Sequence, residues 1–148
     1  MITFDLKGNL QSGQPIEVIL EDIEQYFVFN LHRRQQFEQY LHYVDTLKTL
    51  INAPFEQWID GSFATLKEKP NDIDVVTFIP SDIYFKEEKQ LTQLKKAFYP
   101  TLDLYHVCNY NENHRNFTHS KSDRLEWMHL FSRIRGQKFN KGFIKIYF

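Results

Sequence analysis

A seven-residue apolar run, Ile73–Ile79, is entered through two aspartates, Asp72 and Asp74, and closed by Pro80. Its residues, Ile-Asp-Val-Val-Thr-Phe-Ile, are mostly β-branched or aromatic, which predicts a strand. Asp74 lies inside that strand, where a charge costs free energy unless it faces solvent or a cation. Asp72 and Asp74 are two residues apart, so on a strand they share one face. Unpaired, two such carboxylates repel and one pKa rises. A divalent cation removes the conflict, and Mg²⁺ favours one or two carboxylates together with phosphate oxygens. Two plainer readings stand beside this one. Asn71-Asp72 suits a turn, and Asp74 suits a surface carboxylate at a sheet edge.

Upstream, Phe55–Ile59 reads as a short strand that Asp60-Gly61-Ser62 breaks. Gly61 has no Cβ, so another group can approach its backbone closely. Backbone N–H groups at a helix start hold phosphate, and the Ser62 hydroxyl adds a donor. Ser62 also suits a simple helix N-cap, a role compatible with phosphate binding. Phe63–Leu66 fits one helical turn, and Lys67–Asn71 a charged loop containing Pro70. Lys67 and Lys69 reach phosphates as point charges in one reading and are solvated in the other. One segment therefore supplies both halves of a metal–nucleotide site: Gly61 and Ser62 for phosphates, Asp72 and Asp74 for metal.

The pattern Gly61-Ser62, then Asp72-Ile73-Asp74 at the start of an apolar strand, resembles the polymerase-β-like nucleotidyltransferase superfamily. The longer run resembles minimal bacterial nucleotidyltransferase-like proteins. They share Asp60-Gly61-Ser62-Phe63, Asp72-Ile73-Asp74-Val75 and a C-terminal strand containing Lys141-Gly142. The resemblance covers Arg33 to the C-terminus, with weaker agreement upstream. It implies Mg²⁺ or Mn²⁺ as cofactor and an NTP as substrate. It also implies a third carboxylate on a later strand, the place of Asp103. Minimal members act on a protein or RNA acceptor or a small molecule; antitoxins of toxin–antitoxin pairs are among them, and others have lost activity. Most members add a helical domain for base or acceptor, and this chain has little room for one.

The rest of the chain alternates helix and strand signals. Met1–Gln14 is polar and rich in turns. Pro15–Phe27 carries Ile16, Ile19, Leu20, Ile23 and Phe27 at helical spacing, with Pro15 suited to a first turn. Arg33–Ile51 gives the clearest helix: Phe37, Leu41, Val44, Leu47, Leu50 and Ile51 face inward, and charged or amide residues cover the other side. Phe85–Phe98 predicts an amphipathic helix, and Leu102–Val107 a strand bearing Asp103. After a polar loop at Asn109–Asn116, Ser122 or Asp123 caps a helix to about Ile134, with Leu125, Met128 and Phe131 inward. Gly136–Lys141 turns the chain, and Gly142–Phe148 closes as a strand. The expected class is α+β (mixed α/β), a small mixed sheet with helices packed on it. One domain over residues 1–148 is expected, with 1–32 as a leader and helix on the core.

Charge and composition remove several functions. With 18 Lys plus Arg against 19 Asp plus Glu, broad nonspecific nucleic-acid binding is not expected. A local basic cluster, Arg133, Arg135, Lys138 and Lys141, fits phosphate or a nucleic-acid acceptor, or equally a solvated helix end. The single Cys108 forms no intramolecular disulfide or CxxC site and reads as a small buried hydrophobe. The histidines show no zinc-binding spacing. His106 either flanks the site or lies on the surface, and Tyr84 and Tyr105 remain open between core packing and base stacking. No signal peptide or membrane-length apolar run is read, so a cytoplasmic location without membrane contact is expected.

Overall fold

A computed structural model describes residues 1–133 and 141–148 of the chain. Five strands form one mixed sheet in the order β1-β5-β2-β3-β4. They are β1 (Pro15–Glu17), β2 (Glu56–Asp60), β3 (Ile73–Pro80), β4 (Leu102–Asn109) and β5 (Phe143–Tyr147). Strand β2 runs antiparallel to both β3 and β5, whereas β3–β4 and β1–β5 are parallel. The α+β expectation holds.

The face of the sheet carrying Ile59, Val75, Leu104 and Ile144 packs on helices α1 (Leu20–Phe27), α2 (Leu31–Ile51) and α4 (Glu88–Phe98). Helix α2 anchors this core. Phe37, Tyr40, Val44, Leu47 and Ile51 recur every three or four residues and are buried. Each contributes about 1.5–3 kcal/mol by leaving water. Asn30 caps the helix by accepting from Arg33 N, and Asn52 ends it in the left-handed region at φ 48°. A buried polar chain crosses this layer. Tyr40 donates to Gln57 Oε1 at 2.7 Å and Gln57 donates to Thr77 at 3.0 Å. Tyr43 Oη meets Thr77 Oγ1 at 3.2 Å and His106 Nε2 at 2.8 Å. The opposite face carries Trp58, Val76, Phe78 and Phe143, with Phe131 and Trp127 of α5 (Phe117–Phe131) over them.

Several expectations are corrected. Pro15–Phe27 is not one helix: Pro15–Glu17 pairs with Phe143–Lys145, and α1 starts at Leu20. The helical spacing of Ile16 was accidental; an outer strand tolerates proline because its missing N–H faces away from the ladder. The Phe85–Phe98 helix is two, α3 (Ser81–Lys86) and α4, separated at Glu87 with φ −106° and ψ 15°. Helix α5 begins at Phe117 rather than near Ser122, and Phe131 is buried while Leu125 and Met128 point outward. The leader is irregular, but Leu10 is buried and Leu66 N donates to Gly8 O. Cys108 is half-buried rather than buried. Ile134, the Gly136–Lys141 turn short of Lys141 itself, Arg135 and Lys138 lie outside the described residues.

Candidate metal centre

The sheet register builds the site. Asp60 pairs with Asp74 across β2–β3, and Asp74 pairs with Asp103 across β3–β4. Three carboxylates therefore stand in one row on three adjacent strands, all on the face turned away from α2. Asp72, two residues before Asp74, joins the row at the sheet end. One ligand atom each from Asp72, Asp74 and Asp103 lies within 4.8 Å of the other two. Like charges placed opposite each other on a sheet are destabilising, so this row needs cations.

Lys141 supplies a cation at one end of the row. Lys141 Nζ donates to Asp60 Oδ1, and both side chains are largely buried. Burial still dominates Asp60 and raises its pKa to about 6. Among the described residues, no salt bridge reaches Asp72, Asp74 or Asp103. Burial, then the charges of Asp72, Asp103 and Asp60, lifts Asp74 to about 7. Burial and Asp103 also raise Asp72, and Lys67 pulls it back down. Tyr105 Oη donates to Asp103 Oδ2 at 2.7 Å, and this bond holds the Tyr105 proton well above its ordinary range.

The donor set fits a hard divalent cation. Three carboxylate oxygens suit Mg²⁺ or Mn²⁺, whereas zinc and softer metals prefer nitrogen and sulfur. Metal–oxygen bonds of about 2.05 Å put neighbouring ligands about 2.9 Å apart and opposite ones about 4.1 Å apart. Three ligands of one such ion include at least two neighbouring pairs, so the 4.8 Å bound on the triad exceeds the neighbouring spacing by up to about 1.9 Å, and the carboxylates would draw together on a bound ion.

Gly61 opens the adjacent turn, a 3₁₀ segment over Gly61–Ala64. Its φ is +74°, and a Cβ there would run into the Asp74 carboxylate. Ser62 is half-buried, and its carbonyl accepts from Thr65 N and Arg33. Lys67 is exposed and near enough to act on Asp72; Lys69 is exposed and makes no ion pair or hydrogen bond with the acids among the described residues. Asp72, Asp74, Asp103 and Gly61 thus come together, Ser62 and Lys67 border them, and Lys69 is not drawn in.

Sequence reading missed three contributors. Asp60 looked like a turn residue because only strand register reveals it opposite Asp74. Arg33 was assigned to the polar side of α2, yet it is fully buried. Lys141 read as part of a basic cluster for phosphate, a nucleic-acid acceptor or solvent, not as the partner of Asp60. Conversely, His106 is not at the site and is half-buried rather than a free surface residue. Its side chain shares the α2 face with Leu104, and burial lowers its pKa to about 4, so it stays neutral.

The fold and site define a class of α+β proteins with a carboxylate row across the ends of three strands. The chain belongs to the family of unknown function DUF6932, whose profile matches residues 2–147. Neither the curated proteins nor the solved structures give a match.

Proposed function

We propose that this protein is a metal-dependent nucleotidyltransferase acting in the cytoplasm, where NTPs are abundant. It binds an NTP beside Asp72, Asp74 and Asp103 and transfers the nucleoside monophosphate to a hydroxyl on a protein, RNA or small-molecule acceptor. The observation that supports this most is the carboxylate row: Lys141 pairs with its Asp60 end, while among the described residues no salt bridge reaches Asp72, Asp74 or Asp103, whose oxygens lie within 4.8 Å of one another. The resemblance of Gly61-Ser62 and Asp72-x-Asp74 to polymerase-β-like enzymes supports it independently.

Asp72, Asp74 and Asp103 would hold Mg²⁺ or Mn²⁺, which supplies charge stabilisation to the attacking and leaving oxygens. Gly61 and Ser62 orient the phosphates, and exposed Lys67 offers a point charge to them. The acceptor oxygen bonds to the α-phosphorus as the bond to the β-phosphate oxygen breaks, and pyrophosphate leaves. A carboxylate of the row takes the acceptor proton as the new bond forms.

Thermal unfolding with each of four NTPs and Mg²⁺ or Mn²⁺ tests this. A ligand at about 100 times its Kd adds ~2.7 kcal/mol, roughly 5–11 °C for this size. The shift is expected in wild type and absent in Asp72→Asn/Asp74→Asn. No shift with any NTP in wild type refutes the proposal. A second reading, a catalytically weak partner-binding module such as one half of a toxin–antitoxin-like pair, is favoured by the exposed apolar side chains Leu125, Met128 and Leu130 on α5. It predicts partner association that Asp74→Asn leaves intact.

A further inference from the structure

Arg33 is a fully buried arginine, and no carboxylate pairs with it among the described residues. Its charge is spent on backbone carbonyls instead. Nε donates to Lys67 O at 2.9 Å. Nη1 donates to Phe27 O at 2.9 Å and Phe63 O at 2.8 Å. Nη2 donates to Ser62 O at 3.3 Å, Thr65 O at 2.6 Å and Lys67 O at 2.5 Å. The rings of Phe29 and Phe63 lie 4.4 and 5.1 Å from the guanidinium carbon. Four of the five carbonyls belong to the segment Ser62–Lys67, the connection between the Gly-Ser turn and Asp72.

The first turns of α2 hold the rest of that connection the same way. Asn30 Nδ2 donates to Glu68 O at 2.7 Å. His32 Nε2 and Gln36 Nε2 reach Pro70 O at 2.7 and 2.8 Å. A loop whose carbonyls are drawn inward to a guanidinium does not present those oxygens to an incoming phosphate. A buried positive charge behind it adds a favourable field. The two grips on Lys67 O also fix where the Lys67 side chain leaves the backbone, next to Asp72.

We propose that Arg33 is a positioning residue for nucleotide binding: it touches no substrate, but sets the Ser62–Lys67 segment in the shape that receives the triphosphate. This rests on the nucleotidyl-transfer reading. A planar fork with five donors is required, so lysine cannot replace it.

The test compares wild type with Arg33→Lys by amide hydrogen exchange, Mn²⁺ titration and NTP titration with Mn²⁺ present. Arg33→Lys is expected to lose exchange protection within 62–70 while keeping it in β3 and β4. Its Mn²⁺ affinity should stay within about twofold of wild type while NTP affinity falls about tenfold or more. Unchanged loop protection, or parallel loss of Mn²⁺ and NTP affinity, overturns the proposal. Loosening of the loop in a protein whose wild type binds no NTP overturns the nucleotidyl-transfer reading, and leaves Arg33 as a structural clamp only. Should Arg33→Lys not fold, NMR of the wild-type guanidinium decides. A slowly exchanging Nε–H, present before NTP and unshifted after it, supports a preset loop; rapid exchange before NTP overturns it.

Discussion

Gly61 and Asp74 are fitted to each other: the space a Cβ on Gly61 would need is filled by the Asp74 carboxylate. The backbone of Gly61 is also at φ +74°, a region L-residues rarely occupy. Gly61→Ala is therefore expected to cost about 1–3 kcal/mol and to displace Asp74. Urea denaturation and Mn²⁺ titration check both. Native stability with native metal affinity would show that the turn relaxes freely.

The pH dependence of stability follows from Asp74 and Asp60, whose folded pKa values lie near 7 and 6. Both are raised above their unfolded value, so the folded state binds more protons between about pH 4 and pH 7. Without metal, stability is expected to fall as pH rises through that window. Asp74→Asn should flatten much of the slope and, at pH 8, raise apo stability by about 1 kcal/mol after discounting for solvent. Melting curves from pH 4 to 8, with and without Mg²⁺, measure this; metal should also flatten the wild-type slope.

Lys141 neutralises one end of the row. Lys141→Met leaves Asp60 buried without its partner, and a loss of about 3 kcal/mol is expected at pH 8. The loss should shrink at pH 5, where Asp60 takes up a proton. Adding Asp60→Asn should restore most of the stability, so a double-mutant cycle should give a large coupling energy. Additive losses would mean that the pair is not coupled.

Tyr105 holds Asp103 from outside the triad. Tyr105→Phe removes only the hydroxyl that donates to Asp103 Oδ2. Mn²⁺ binding is expected to weaken about tenfold, as for other outer-shell partners of metal ligands, with little change in melting temperature. Isothermal titration of Mn²⁺ reads the effect directly.

The acid pair was legible because period two on a strand is a short-range rule, and Asp72 and Asp74 obey it. Asp103 was legible only through resemblance, since nothing local distinguishes Leu102-Asp-Leu-Tyr105 from any half-buried strand. Asp60, Arg33 and Lys141 were not legible. Their roles depend on partners 14 to 81 positions away in the chain, as in Asp60–Asp74, Arg33–Lys67 and Lys141–Asp60. The Pro15–Glu17 strand was hidden for the same reason: it exists only because β5 lies beside it. Helix α5 misled because Leu125 and Met128 have apolar side chains but no layer to enter.

The pairing of Asp74 with Asp103 carries a consequence for how such a chain can diverge. The two residues are joined by a crossover through α3 and α4, and that crossover can gain or lose a helical turn without disturbing either strand. A shift of β4 by a single position is different. It would swing Asp103 into the hydrophobic layer beneath α2 and bring Leu102 or Leu104 up beside Asp74. Insertions between the two aspartates are thus judged by parity rather than by length. A relative with a longer connection but the same odd-even phase on β4 would keep the row, and one of identical length but opposite phase would lose it.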